Sequence, residues 1–75
     1  MKMSRLRDLR KSRGFSQRTM QRLTGIDQSN YSKIERKKRE PSLDQCIRIA
    51  LALDTSIDYL LGRTDDPMPY PRAQT

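Results

Sequence analysis

The chain has 75 residues, no histidine, a single cysteine and a formal net charge of +7. That length holds one domain whose core is only just sufficient, so every apolar side chain should be in use. Cys46 alone excludes an internal disulfide, and without a second cysteine or any histidine a zinc site is excluded too.

Five short helices are predicted in chain order. Ser4 is positioned to cap a helix running to about Arg13, with Leu6 and Leu9 inward and Gly14 at its end. Ser16 would cap a second helix, Gln17 to about Thr24, burying Met20 and Leu23. Gly25 follows where a tight turn needs positive φ. Asp27 then caps a third helix from Gln28 to about Arg36, its carboxylate favoured at the positive end of the helix dipole. After a loop closing on Pro41, Ser42 opens a fourth helix to about Leu53. There Leu43, Ile47, Ala50 and Leu53 recur at helical spacing, with Cys46 on the same side. Ser56 starts a last turn, Ile57 to Leu61, stopped by Gly62. The fold class expected is therefore all-α, with residues 1–62 as the domain. Residues 63–75 read as a flexible tail, extended by three prolines in five positions, either a plain end or the stub of a linker.

The charge is segregated. Residues 1–39 carry 13 Lys/Arg against three acids, whereas residues 40–75 carry three Arg against six acids. Such a basic half implies an anionic partner, a nucleic-acid backbone or a membrane surface. The membrane reading needs bulky apolar anchors opposite the cations, and the first 13 residues offer only Met3, Leu6 and Leu9, which the core requires. With no leader-like or long apolar run, a soluble, cytoplasmic, nucleoid-associated protein is the expectation.

The segment GIDQSNYSKIERKKR (25–39) sharpens this. Two short helices joined by a Gly-containing turn, the second polar on its outer face, form the helix-turn-helix pattern. At 100° per residue Tyr31 and Ile34 lie about 60° apart, and the opposite direction falls between Ser29, Arg36 and Lys33, with Ser32 beside it. The inner side can anchor the helix while the outer side reads a duplex groove.

FSQ before the second helix, LTGI in the turn, SKIE closing the third, PSL opening the fourth and IDYLLG at the end occur in one order and spacing. Together they resemble the Cro and lambda-repressor type of helix-turn-helix domain, the Xre-like family, over roughly Leu6 to Asp66. The resemblance implies a compact five-helix, lambda-repressor-like domain that binds double-stranded operator DNA. It further implies a homodimer, formed in solution or only on DNA, an inverted-repeat operator and, most often, repression of transcription in bacteria or phages. Carried over by position, base contacts fall on Gln28, Ser29 and Lys33, with Ser32 in addition. Gln17 matches a phosphate contact at the start of the second helix, and Arg18, Arg36, Lys38 and Arg39 are further candidates for the backbone. Arg10 and Glu35 match an ion pair tying the first helix to the end of the third. The dimer contact is expected at the fifth helix and the nearby loop, Leu60 and Leu61 included, because the acidic half is not needed on DNA.

Two departures from the family pattern stand out. Gln21 occupies a position often held by a small residue, so either the helix crossing opens or the amide lies flat in solvent. Lys37 stands where glycine is common, so the turn differs or a left-handed residue is strained by about 1 kcal/mol. Tyr31 could also send its hydroxyl to a phosphate. No catalytic constellation is present in the sequence, with no histidine base, phosphate-cradling glycine loop or paired acids, so no enzyme activity, cofactor, metal or small-molecule substrate is expected. The alternative to DNA binding is an antitoxin or protein-interaction module on the same fold.

Overall fold

A computed structural model describes residues 2–69. It has five helices: α1 (Leu6–Ser12), α2 (Gln17–Thr24), α3 (Gln28–Glu35), α4 (Leu43–Ala52) and α5 (Ile57–Leu60). Among the described residues there is no strand.

Side-chain caps start four of the helices. Ser16 accepts from the Thr19 N–H, Asp27 from Ser29, Ser42 from Gln45 and Ser56 from Tyr59. At α4 the Gln45 side chain also accepts from the Ser42 N–H, completing a reciprocal capping box. The expected Ser4 cap of α1 does not form. Arg5 holds the cap position without a side-chain bond, and its backbone N–H donates to Leu60 O at 3.2 Å. The start of α1 is thus tied to the end of α5 rather than capped by a local serine.

Four helices end alike. The residue past the cap takes a left-handed conformation, and the next N–H reaches back five residues, as in Lys38 N–H to Lys33 O at 2.8 Å and Thr55 N–H to Ala50 O at 3.0 Å. This is the Schellman arrangement, which satisfies otherwise orphaned carbonyls. Glycine serves after α1 and α5, but after α3 and α4 the left-handed residues are Lys37 (φ 64°) and Asp54 (φ 52°). Lys37 keeps the left-handed turn and carries the strain.

One core unites the helices, centred on Leu6, Met20, Tyr31, Ile49, Leu53 and Leu60, each fully buried. Two apolar assignments are corrected. Leu23 is 48% exposed, and Thr24 is buried instead, its hydroxyl donating to Met20 O. On α4 the buried side is Cys46, Ile49, Ala50 and Leu53, whereas Leu43 and Ile47 face outward at 69% and 44% exposure. The inward face is rotated towards Ile49, because α4 must meet α2 and α5 along one side only.

Beyond Gly62 the chain turns back over the start of α1. Arg5 donates to Thr64 O and Asp65 and sits 4.7 Å over the Tyr59 ring, while the Thr55 hydroxyl donates to Pro67 O at 2.6 Å. Residues 70–75 of the segment read as a flexible tail lie outside the described residues.

Candidate nucleic-acid interface

The sequence of α3 sets its orientation. Tyr31, Ile34 and Glu35 occupy one sector of the helix and are buried at 0%, 1% and 7% exposure. Tyr31 and Ile34 join the hydrophobic core, and Glu35 meets α1. The opposite sector carries Ser29, Lys33 and Arg36, all exposed, with Ser32 half-buried at its edge and Gln28 exposed in the first turn. All the side chains named from the sequence for base contact therefore have solvent access.

The N-terminus of α3 is held from two sides. Asp27 Oδ2 accepts the Ser29 N–H at 3.0 Å, and the Gln21 side-chain carbonyl accepts the Gln28 N–H at 2.6 Å. Gln21 neither opens the α2–α3 crossing nor idles in solvent; it crosses the turn and fixes the first residue of α3. Its side chain is a bridge between the two helices of the motif.

The C-terminal half of α3 is locked to α1 by Arg10. Its Nη2 meets Glu35 Oε1 at 2.8 Å, its Nε meets Oε2 at 3.0 Å, and its Nη1 donates to Phe15 O at 2.7 Å. One guanidinium thus joins α1, the α1–α2 turn and α3. Burial works to raise the Glu35 carboxyl, but the hydrogen bonds from Arg10 hold it below the ordinary carboxylate range. Bonding to Glu35 raises the Arg10 guanidinium despite its own desolvation. The Tyr31 hydroxyl is buried beside this pair with no hydrogen bond of its own, so it does not reach a phosphate. Burial, with the Glu35 carboxylate adjacent, pushes its phenol well above the usual range.

An open cleft of about 240 Å³ lies over the pair, lined by Arg7, Arg10, Gln17, Glu35 and Arg36. It brings Gln17 and Arg36 together, two residues singled out from the sequence, and adds Arg7, which the sequence did not single out. Gln17 is the first residue of α2, where unpaired backbone N–H groups favour an anion. Arg18, Lys38 and Arg39 are exposed. Arg39 is not a free cation: its Nη1 donates to Asn30 Oδ1 at 2.9 Å, drawing the loop after α3 against that helix. Arg36 folds along its own helix, with Nε 3.5 Å from Ser32 O. Among the described residues no helix is long and apolar enough to cross a membrane.

These features coincide with known proteins. A helix-turn-helix family model matches residues 6–60. The chain is 40% identical over 65 residues to the uncharacterized HTH-type transcriptional regulator YobD of Bacillus subtilis, covering 87% of this chain and 58% of that protein. It is 37% identical over 73 residues to the HTH-type transcriptional regulator AnsR of the same organism, covering 97% and 63%. The chain therefore spans about three fifths of the length of these two relatives. Among solved structures, the restriction-modification controller protein C.AhdI from Aeromonas hydrophila superposes with a TM-score of 0.72 at 40% identity, covering 76% of this chain and 86% of that one. With a matching sequence profile over most of its length and the same arrangement of helices, the chain belongs to the helix-turn-helix family of the Xre/Cro type.

Proposed function

We propose that this chain is a non-enzymatic, cytoplasmic regulator, a repressor of transcription that binds double-stranded DNA with α3 in the major groove. Relatives named as transcriptional regulators support the reading. The observation that carries it is the division of α3 into a buried anchoring sector and an accessible polar one. Gln28 offers amide donor and acceptor together to adenine N6 and N7; Lys33 donates to guanine O6 and N7; Ser29 and Ser32 serve several bases. Gln17 and Arg36 meet the phosphate backbone at the cleft, and Arg18, Lys38 and Arg39 extend that contact on either side. Asn30 aims Arg39 without using up its five donors. The Arg10–Glu35 pair acts as a register device: it sets the tilt of α3 against α1 and contributes little net stability.

The functional unit is a homodimer on an inverted repeat whose half-sites lie about 34 Å apart, one helical turn. Selection of bound duplexes from a random pool, followed by binding measured against salt, tests the reading. A consensus inverted repeat should emerge, and log affinity should fall with log salt by about 0.9 per neutralised phosphate. Enrichment of no sequence at moderate salt would leave a non-specific binder and refute the proposal.

A further inference from the structure

On α5 Leu60 is 0% exposed and has nothing left to offer a partner, while Leu61 just past it is half-buried. A larger exposed apolar surface lies on α4. Leu43, Ile47 and Leu51 are 69%, 44% and 73% exposed. At 100° per residue Leu43 and Leu51 sit about 40° either side of Ile47, so the three form one ridge at i, i+4 and i+8. The ridge runs beside the core-facing Ala50, and on its other flank stand Asp44 and Arg48, joined at 2.9 Å and both well exposed. A leucine-rich ridge has no use on a phosphate backbone, and it belongs to the half of the chain where acids outnumber bases.

We infer that this ridge is the surface through which two copies of the chain associate, with α4 packed antiparallel on α4 about a two-fold axis at Ile47. The inference rests on the dimeric reading above and supplies its interface. The ridge is symmetric about Ile47, so reversing the second helix sets Leu43 against the other copy's Leu51 at both ends. A two-fold contact needs this kind of self-complementary patch. The flank is complementary as well: with the helices antiparallel, Asp44 of each copy comes alongside Arg48 of the other on the same side of the seam. Ridges of i±4 spacing interdigitate at a crossing of about −50°. Three side chains cannot supply the roughly 800 Å² per partner of a stable free complex. A second copy held on the adjacent half-site needs far less, because the operator raises its effective concentration. That favours a second copy over an unrelated protein recruited from solution.

The test combines sedimentation, cross-linking and duplex binding. Wild-type protein should self-associate at high micromolar concentration and occupy a full inverted repeat as two copies. Ile47→Glu places two carboxylates face to face on the axis and should weaken self-association by roughly 100-fold or more. Leu51→Glu, at a more exposed position, guards against misfolding and should act in the same direction with an unchanged melting temperature. Ile47→Cys should form a disulfide-linked dimer on mild oxidation, while Leu61→Cys and the wild type, whose Cys46 is buried, should not. Both glutamate variants should keep wild-type affinity for a single half-site and lose tight binding to the full repeat. Unchanged self-association of both glutamate variants, or cross-linking through Leu61→Cys in preference to Ile47→Cys, would overturn the inference. So would a wild type that stays monomeric both free and on the full repeat. Failure of the wild type to bind any duplex would refute the function instead, leaving sedimentation and cross-linking to judge the interface.

Discussion

Lys37→Gly should stabilise the domain. Lys37 closes α3 at φ 64°, with its own N–H on Ile34 O at 3.0 Å and the next N–H on Lys33 O at 2.8 Å. The conformation is thus fixed by the hydrogen bonds that end the helix. A side chain there sits close to the following carbonyl, at a cost of about 1–2 kcal/mol that glycine avoids. Glycine gives back about 0.5–1 kcal/mol through the greater freedom of its unfolded chain. The net gain is about 0.5–1 kcal/mol, which in a domain of this size raises the melting temperature by roughly 2–8 °C. Thermal and urea denaturation would measure it, with Lys37→Ala as the control that removes the charge but keeps the Cβ. Asp54→Gly, at the same place after α4, should gain less, since aspartate tolerates the left-handed region better than lysine. If Lys37→Gly melted no higher than Lys37→Ala, backbone strain would not be what Lys37 contributes, and relief of charge repulsion in the 36–39 run would replace it.

Three further outcomes follow from the contacts. Removing one partner of the buried pair, as in Glu35→Ala, should cost about 3 kcal/mol, whereas Arg10→Met with Glu35→Leu should cost less than either single change, by chemical denaturation. The Glu35 carboxyl is held below its ordinary value, so its stabilisation is full above the unfolded value near 4.5 and is lost as pH falls through the lower folded value. Acid unfolding of the wild type should accordingly be steeper than that of the Arg10→Met, Glu35→Leu variant. Gln21→Ala should cost about 0.5–1 kcal/mol and speed amide exchange at Gln28, whose N–H it leaves to water; unchanged exchange there would refute the bridge.

What could be read beforehand depended on whether a signal was local. The caps at Ser16, Asp27, Ser42 and Ser56 were legible because the bond spans two or three residues. The start of α1 was not, since Arg5 is fastened to residues about sixty positions away. Helix α4 was legible as a helix but not in its facing. It has two apolar stripes of equal period, Cys46–Ile49–Ala50–Leu53 and Leu43–Ile47–Leu51, and periodicity cannot say which lies inside. On α2 the buried place beside Met20 goes to Thr24 rather than Leu23, because its hydroxyl is satisfied by Met20 O, which apolar periodicity does not register. In the candidate site, the outward sector of α3 followed from helical geometry once Tyr31 and Ile34 were taken as its anchor. The Gln21 bridge, the Arg39–Asn30 bond and the place of Arg7 in the cleft arise from side chains meeting across a turn or between helices, where sequence spacing carries no signal.

The central claim is that the accessible sector of α3 discriminates between base pairs. The direct measurement is competition binding of the double variant Gln28→Ala, Lys33→Ala against wild type, on the selected operator and on scrambled duplex at one salt concentration. Each change should cost on the order of 1–3 kcal/mol on the operator and little on scrambled DNA, so the operator preference should shrink by at least tenfold, whereas Arg39→Ala should weaken both duplexes alike. An operator preference that survives the double change intact would place base readout elsewhere on the molecule.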